Sequence, residues 1–219
     1  MEFSEQPALN AGTIKQMEAA RDITGLLGVL DPAVAVIYRR NASKALAAIA
    51  PADAVPGLVG RLALEPDRGV RQNLIKALGR LGDDRALEGL VNALKDRDLL
   101  VCQEAALALS RFNSPASYEA LLAALQRKDS RESWQVRRFA AQAIGKLGDR
   151  RAVPALIVSL RDENDLVPPA AAEALGELGD RQAIAALKTA RHNTPHRRGA
   201  ECATCQAIDA ALKRLEAKS

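Results

Sequence analysis

The chain has 219 residues, 48% hydrophobic but only 3% aromatic, with a formal net charge of +4 and a pI near 9.1. That length and apolar content can build a core unaided, and Ala and Leu with few aromatics predict helices rather than sheets. The charge is too mild to select nucleic acid or a membrane by itself, an odd three cysteines argue against a disulfide framework, and no apolar run nears the roughly 18 residues of a membrane span.

The opening residues, MEFSEQPALN, carry an early acid and neither a basic n-region nor an apolar h-region, so no export signal is read there. A cytoplasmic location with reduced thiols is the expectation. Residues 1–12 are expected to be flexible and residues 13–219 to form a single domain. Thr13 with Gln16 predicts a capping box for a helix running to Leu30, and Asp31-Pro32 predicts the N-cap and first residue of the next helix.

From there the chain repeats itself. RRNASKALAAIAPADAVPGLVGRL from Arg39 superposes without a gap on RQNLIKALGRLGDDRALEGLVNAL from Arg71, and the same frame continues in VCQEAALALSRFNSPASYEALLAAL, VRRFAAQAIGKLGDRRAVPALIVSL and VPPAAAEALGELGDRQAIAALKTA. Tyr38, Val70, Val101, Val136 and Val167 are equivalent, so the period is 31 to 35 residues. Within a unit, Val70, Leu74, Leu78 and Leu81 fall at helical spacing, GDDRA interrupts, and Leu87, Leu90, Val91 and Leu94 resume. Each unit therefore predicts helix, tight turn, helix, with Gly82, Gly148 and Gly179 ending the first helix in the left-handed region and Asp83, Asp149 and Asp180 capping the second. Such a pair cannot bury its apolar stripe alone, so the units must stack. Leu26 and Leu30 match Leu58 and Leu62, and Ile208, Leu212 and Leu215 match Ala140, Ile144 and Leu147, which predicts half units at both ends.

VRRFAAQAIGKLGDRRAVPALIVSLRDEN and AAAEALGELGDRQAIAAL resemble HEAT-like repeats of the short type found in phycobilisome bilin lyases and many bacterial scaffold proteins, over about residues 13–217. The resemblance implies an all-α fold, a right-handed α-α superhelix (a HEAT-like solenoid) of about five helix pairs with half-repeat caps. It is specific for fold and weak for function, because the shared residues are those that build the solenoid. Iron hydroxylases built on such repeats carry His-Glu dipeptides, which this chain lacks. No GxxxxGK[ST], GxGxxG or HExxH occurs, no triad surrounds either histidine, and no residue can be carried over as catalytic from the bilin lyases. The chain is therefore expected to be a non-enzymatic scaffold or adaptor for a protein partner, acidic or helical. The alternative is an accessory subunit of a bilin lyase-like or other cofactor-handling system. A third reading is a nucleic-acid binder.

Three surfaces compete for the partner. On the second helices, the column Gly57, Gly89, Ala120, Ala155 and Ala186 and its neighbour Gly60, Asn92, Ala123, Val158 and Thr189 are small and nearly uncharged. They either let helices pack closely or form a smooth groove rimmed by Arg85, Glu88, Glu119 and Arg151. The first helices at 38–49, 70–81, 101–112 and 136–147 hold ten Lys or Arg and one acid. Arg39, Arg71 and Arg137 are expected to be structural, reaching acids such as Asp96 or Asp129, while Arg40, Lys44, Lys76, Arg80, Arg138 and Lys146 leave a basic outer face. Tyr38, Phe112 and Phe139 occupy core positions, so a nucleic acid would find no stacking platform. The third surface is the loop at 126–135, whose Trp134 is either a clamp on the repeat body or an exposed anchor.

His192, His196, Cys202 and Cys205 fall within 14 residues near the C-terminus. Two imidazoles and two thiolates would satisfy a structural zinc ion, although the spacing is not a finger pattern and Arg197 and Arg198 oppose a cation. The other readings are a CxxC redox pair at a helix N-terminus and ordinary residues of an enlarged turn. No cofactor beyond that zinc is implied.

Overall fold

The structure, a computed structural model, describes residues 9–112, 114–128, 133–193 and 202–217, and among these residues it contains α-helices and no strand. The chain divides into two compact units, Met1–Gly89 and Leu90–Ser219. The first holds α1 (Ala11–Ala20), α2 (Ile23–Val29), α3 (Val36–Ile49), α4 (Val55–Leu64) and α5 (Arg68–Leu81), and α6 (Leu87–Ala93) straddles the division. The second holds α7 (Leu99–Leu109), α8 (Pro115–Leu125), α9 (Ser133–Leu147), α10 (Val153–Ser159), α11 (Val167–Leu178), α12 (Ala183–Asn193) and α13 (Ala203–Glu216).

Each unit stacks its helix pairs as the repeat requires. In the first, α3 packs on α1, α2 and α5, and α4 packs on α5. In the second, α9 lies between α7 and α11, α11 between α9 and α13, and α10 touches both α8 and α12. The repeated positions are the core: Leu46, Leu58, Leu74 and Leu78 are fully buried in one unit, and Leu109, Leu121, Ile144, Leu156, Leu175 and Ile208 in the other. A Cβ added to Gly145 would lie 2.8 Å from the Ala174 Cα, and one added to Gly176 would lie 3.0 Å from the Ala211 Cα. Helices α9, α11 and α13 thus meet through Gly and Ala, which is why so large an apolar content needs so few aromatics.

The turn chemistry agrees with the sequence. Gly82, Gly148 and Gly179 adopt φ of 61°, 79° and 68°, ending α5, α9 and α11 where an L side chain would be strained. Asp83, Asp149 and Asp180 each accept the N–H two residues on at 2.9 Å. After Asp83 and Asp149 the chain makes a single tight 3-10 turn before the second helix starts.

The N-terminal end departs from expectation. Asn10, not Thr13, caps α1: its side chain accepts from the N–H groups of Gly12 and Thr13 at 2.7 and 3.0 Å, and Thr13 Oγ1 accepts from the Asn10 N–H at 2.7 Å. The helix stops at Arg21, whose φ is 54°, and Asp22 caps α2 through the Gly25 N–H at 2.9 Å. The chain therefore begins with a helix pair, not one helix to Leu30. Asp31-Pro32 opens a turn, with Asp31 accepting from the Ala33 N–H at 2.8 Å, and α3 starts only at Val36. Trp134 also moves, from the expected loop into the first turn of α9, where it is half-buried.

Arg39 and Arg137 are structural, but their partners differ from those expected. Arg39 donates to both Glu65 oxygens at 3.2 and 3.1 Å and to the carbonyls of Pro32 and Val34. Arg137 donates to both Asp162 oxygens at 2.7 and 2.8 Å and to the Arg127 carbonyl at 2.9 Å. Each arginine joins the turn before its own helix to the carboxylate that follows the second helix of the same repeat. Arg71 likewise donates to the carbonyls of Glu65 and Pro66. Asp129 lies outside the described residues.

Candidate functional site

The Arg137 clamp forms one wall of a cleft of about 490 Å³ in the second unit. Leu125, Gln126 and Lys128, at and beyond the end of α8, face Ala155, Ile157, Val158 and Ser159 of α10, and Arg161, Asp162 and Glu163 close it. Val158 is 70% exposed and forms an apolar ledge of the cleft. Lys128 and Arg161 reach solvent, so the mouth presents two cations over an apolar ledge. Burial pushes the Asp162 carboxyl up, but hydrogen bonds from Arg137 and the Asn164 N–H, with the charges of Arg137 and Lys128, hold it below the ordinary carboxylate range. The cleft therefore keeps a hydrogen-bonded ion pair at its base and exposed cations at its rim. Its volume falls within the roughly 300–1,000 Å³ typical of small-molecule sites. Of its residues only Ala155, Val158 and Arg137 were singled out by the repeat pattern. Lys128 and Arg161 stand just after the second-helix leucines, outside both small-residue columns.

The two small-residue columns separate. A Cβ on Gly57 would lie 3.2 Å from Leu27 Cδ1, and one on Gly89 would lie 3.1 Å from Val59 Cγ1, so these glycines serve close packing. Gly60, Ala123, Val158 and Thr189 of the other column are exposed. The rim arginines are occupied by their own turns. Arg85 Nη2 lies 2.6 Å from Asp83 Oδ2, Arg151 Nη2 lies 2.6 Å from Asp149 Oδ2, and Arg151 also stacks 4.2 Å over the Tyr118 ring. The hydrogen bond from Arg85 holds the Asp83 carboxyl down at about 2. Glu88, Asn92 and Glu119 are exposed.

The basic first-helix face is less basic than its count. Arg40 donates to Asp67 at 3.0 and 2.7 Å, Arg80 donates to the Ala47 carbonyl at 2.5 Å, and Arg138 sits 5.6 Å from the Phe139 ring centre. Lys44 and Lys76 are exposed. In the second unit Lys146 shares a groove of about 240 Å³ with Glu173 and Glu177 of α11. Those acids lie in the fifth first-type helix, which, unlike the four before it, is acidic.

At the C-terminal end, Cys202 is the N-cap of α13 and its sulfur accepts from the Cys205 N–H at 3.2 Å. The two sulfurs are 2.8 Å apart and are not joined as a disulfide. The hydrogen bond from Cys205, helped by N–H groups of the cap and the charge of Arg191, lowers the Cys202 pKa, whereas that same bond and burial raise Cys205. Arg191 Nε lies 2.8 Å from Asp209, tying α12 to α13. His192 is exposed at the end of α12 and His196 lies outside the described residues. Among the described residues no three His, Cys, Asp or Glu side chains gather as metal ligands, and no helix is long and apolar enough to cross a membrane.

Curated proteins share stretches of this sequence. It is 46% identical over 85 residues to the phycocyanobilin lyase subunit alpha of Pseudanabaena tenuis, covering 36% of this chain and 31% of that protein. It is 36% identical over 101 residues to the corresponding subunit of Microchaete diplosiphon, covering 43% and 34%, and 37% identical over 87 residues to the bilin biosynthesis protein PecE of Mastigocladus laminosus, covering 40% and 26%. The chain thus spans about a third or less of these relatives. Among solved structures, the complex of CpcE and CpcF of phycocyanin lyase from Nostoc matches with a TM-score of 0.50 at 19% identity, over 98% of both chains. That similarity shows the fold alone.

The expectation of a non-enzymatic scaffold is overturned by these relatives, which are lyase subunits and a bilin biosynthesis protein. The error has a physical source. Stacking fixes the recurring Leu, Gly and Asp, so the residues that make the repeat visible are silent about ligand chemistry. The HEAT-repeat family matches residues 23–97, 62–132 and 129–204, and the chain belongs to it.

Proposed function

We propose that the chain is a bilin-handling subunit of the phycocyanobilin lyase type, and that the cleft between α8 and α10 receives the bilin. The observation that carries this reading is the 36 to 46% identity with lyase alpha subunits over stretches of 82 to 101 residues. The cleft supports it chemically. A bilin is an open-chain tetrapyrrole with a long apolar body and propionate carboxylates. Ile157 and Val158 offer an apolar ledge to the body, and Lys128 and Arg161 offer cations to the carboxylates. An open cleft suits a ligand that must be handed on, since full enclosure would slow its release. The lyase relatives are subunits, and the partner in this reading is a second protein. Exposed Lys44 and Lys76 favour an acidic surface on it, and the open Ala123, Val158 and Thr189 column favours a helical one.

Titration of the purified chain with phycocyanobilin, followed by absorbance and then by a denaturing gel, tests the proposal. A saturable spectral shift, weakened when Lys128 and Arg161 are both replaced by Ala, is the expected result. An unchanged bilin spectrum in excess protein would overturn it.

A further inference from the structure

The sulfurs at the start of α13 take no part in the cleft, and their arrangement carries chemistry of its own. They stand at the N-cap and third positions of a 14-residue helix, 2.8 Å apart. Cys205 is only 3% exposed, while Cys202 is partly open to solvent. The two sites are therefore unequal: one sulfur is open to a reagent, and the other is buried but within reach of its neighbour. The cap sulfur also receives a backbone N–H at 3.2 Å and sits at the positive end of the helix dipole. Arg191, anchored on Asp209, places a cation against both sulfurs. Cys102 shows what an inert thiol looks like in the same chain. It is fully buried, donates to the Asp96 carbonyl at 3.1 Å, and burial with the Asp96 charge pushes its pKa to about 11.

We propose that Cys202 and Cys205 form a thiol–disulfide exchange site for low-molecular-weight disulfides, with Cys202 as the attacking sulfur and Cys205 as the resolving one. Cys202, having lost its proton, attacks one sulfur of RSSR. A Cys202–SR bond forms, the S–S bond of the reagent breaks, and RS⁻ leaves. Cys205 then gives up its proton and attacks the Cys202 sulfur, forming the Cys202–Cys205 disulfide and expelling the second RS⁻. Two protons from the chain convert the leaving groups into two RSH. The chain loses two electrons and the reagent gains two. The partly open place of the cap sulfur at the helix N-terminus favours the first step, and the short distance between the sulfurs favours the second.

The test uses the full chain in buffers of defined reduced and oxidised glutathione, quenched by alkylation and read by peptide mass. The expected product is a peptide carrying a Cys202–Cys205 disulfide, with Cys102 blocked only after denaturation. Cys205→Ser should accumulate one glutathione on Cys202, and Cys202→Ser should label Cys205 at least about tenfold more slowly. Circular dichroism establishes that both variants remain helical. Persistence of both thiols in oxidised glutathione alone, or equal labelling of the two variants, would overturn the proposal. So would stoichiometric zinc held by the reduced chain and lost in Cys202→Ser. None of these readouts involves a bilin, so this proposal and that of the cleft fail independently.

Discussion

The turns entering α7 and α9 occupy the same place in the repeat and are held by different chemistry. Before α9, Arg137 donates to the Arg127 carbonyl and grips both oxygens of Asp162 beyond α10, with its side chain 4% exposed. Before α7, Cys102 stands at the equivalent position and gives one S–H to the Asp96 carbonyl. The arginine joins two turns, whereas the cysteine satisfies only one. The difference teaches that the repeat tolerates losing the bridge, and that the candidate cleft lies where the bridge is kept. The Arg137–Asp162 pair is at once a fastening of the fourth repeat and the base of the site, so the geometry of the site is inherited from the scaffold.

Breaking the bridge should have the largest effect. Arg137→Ala leaves Asp162 buried without its counter-ion, and a loss of about 3–5 kcal/mol is expected in urea unfolding. The equivalent change before α7, Cys102→Ala, removes one weak hydrogen bond and little volume, and should cost about 1 kcal/mol. Equal losses would erase the distinction. A smaller effect is expected at an exposed ion pair of the first unit. Arg40 lowers the Asp67 carboxyl to about 2 through a hydrogen bond, but the Arg40 side chain is 51% exposed. Because the folded pKa is depressed below the unfolded value of about 3.9, the contribution is present above pH 4 and lost as pH falls towards 2. Solvent screening keeps it small beside the buried pair. Asp67→Asn should flatten that part of the stability profile, measured as urea midpoint against pH. Asp162, also depressed, keeps the same sign.

The repeat frame was legible because a stack buries the same positions in every copy. Leu46, Leu78, Leu109 and Ile144 recur at helical spacing, and Gly82, Gly148 and Gly179 punctuate them. The N-terminal pair was hidden because Arg21 breaks the helix with a left-handed turn that no glycine announces. Asp31-Pro32 carried a helix-start signal, yet the same dipeptide builds a turn when its carboxylate finds the N–H two residues on. The cleft was legible only in fragments. Val158 was placed on the open column, but Lys128 and Arg161 join it only through the way α8 and α10 end side by side. The CxxC spacing placed both cysteines near a helix N-terminus, but that Cys202 is itself the cap follows only from where α13 starts, at Ala203.

The central claim is that this cleft holds a bilin, and Val158 tests it most directly. Its side chain is so exposed that Val158→Asp should leave helix content and urea midpoint unchanged. With phycocyanobilin titrated into both proteins and absorbance followed, the parent chain should saturate and Val158→Asp should need at least about tenfold more ligand, as expected for losing an apolar contact of roughly 1.5 kcal/mol. Superimposable titration curves for the two proteins would contradict the account.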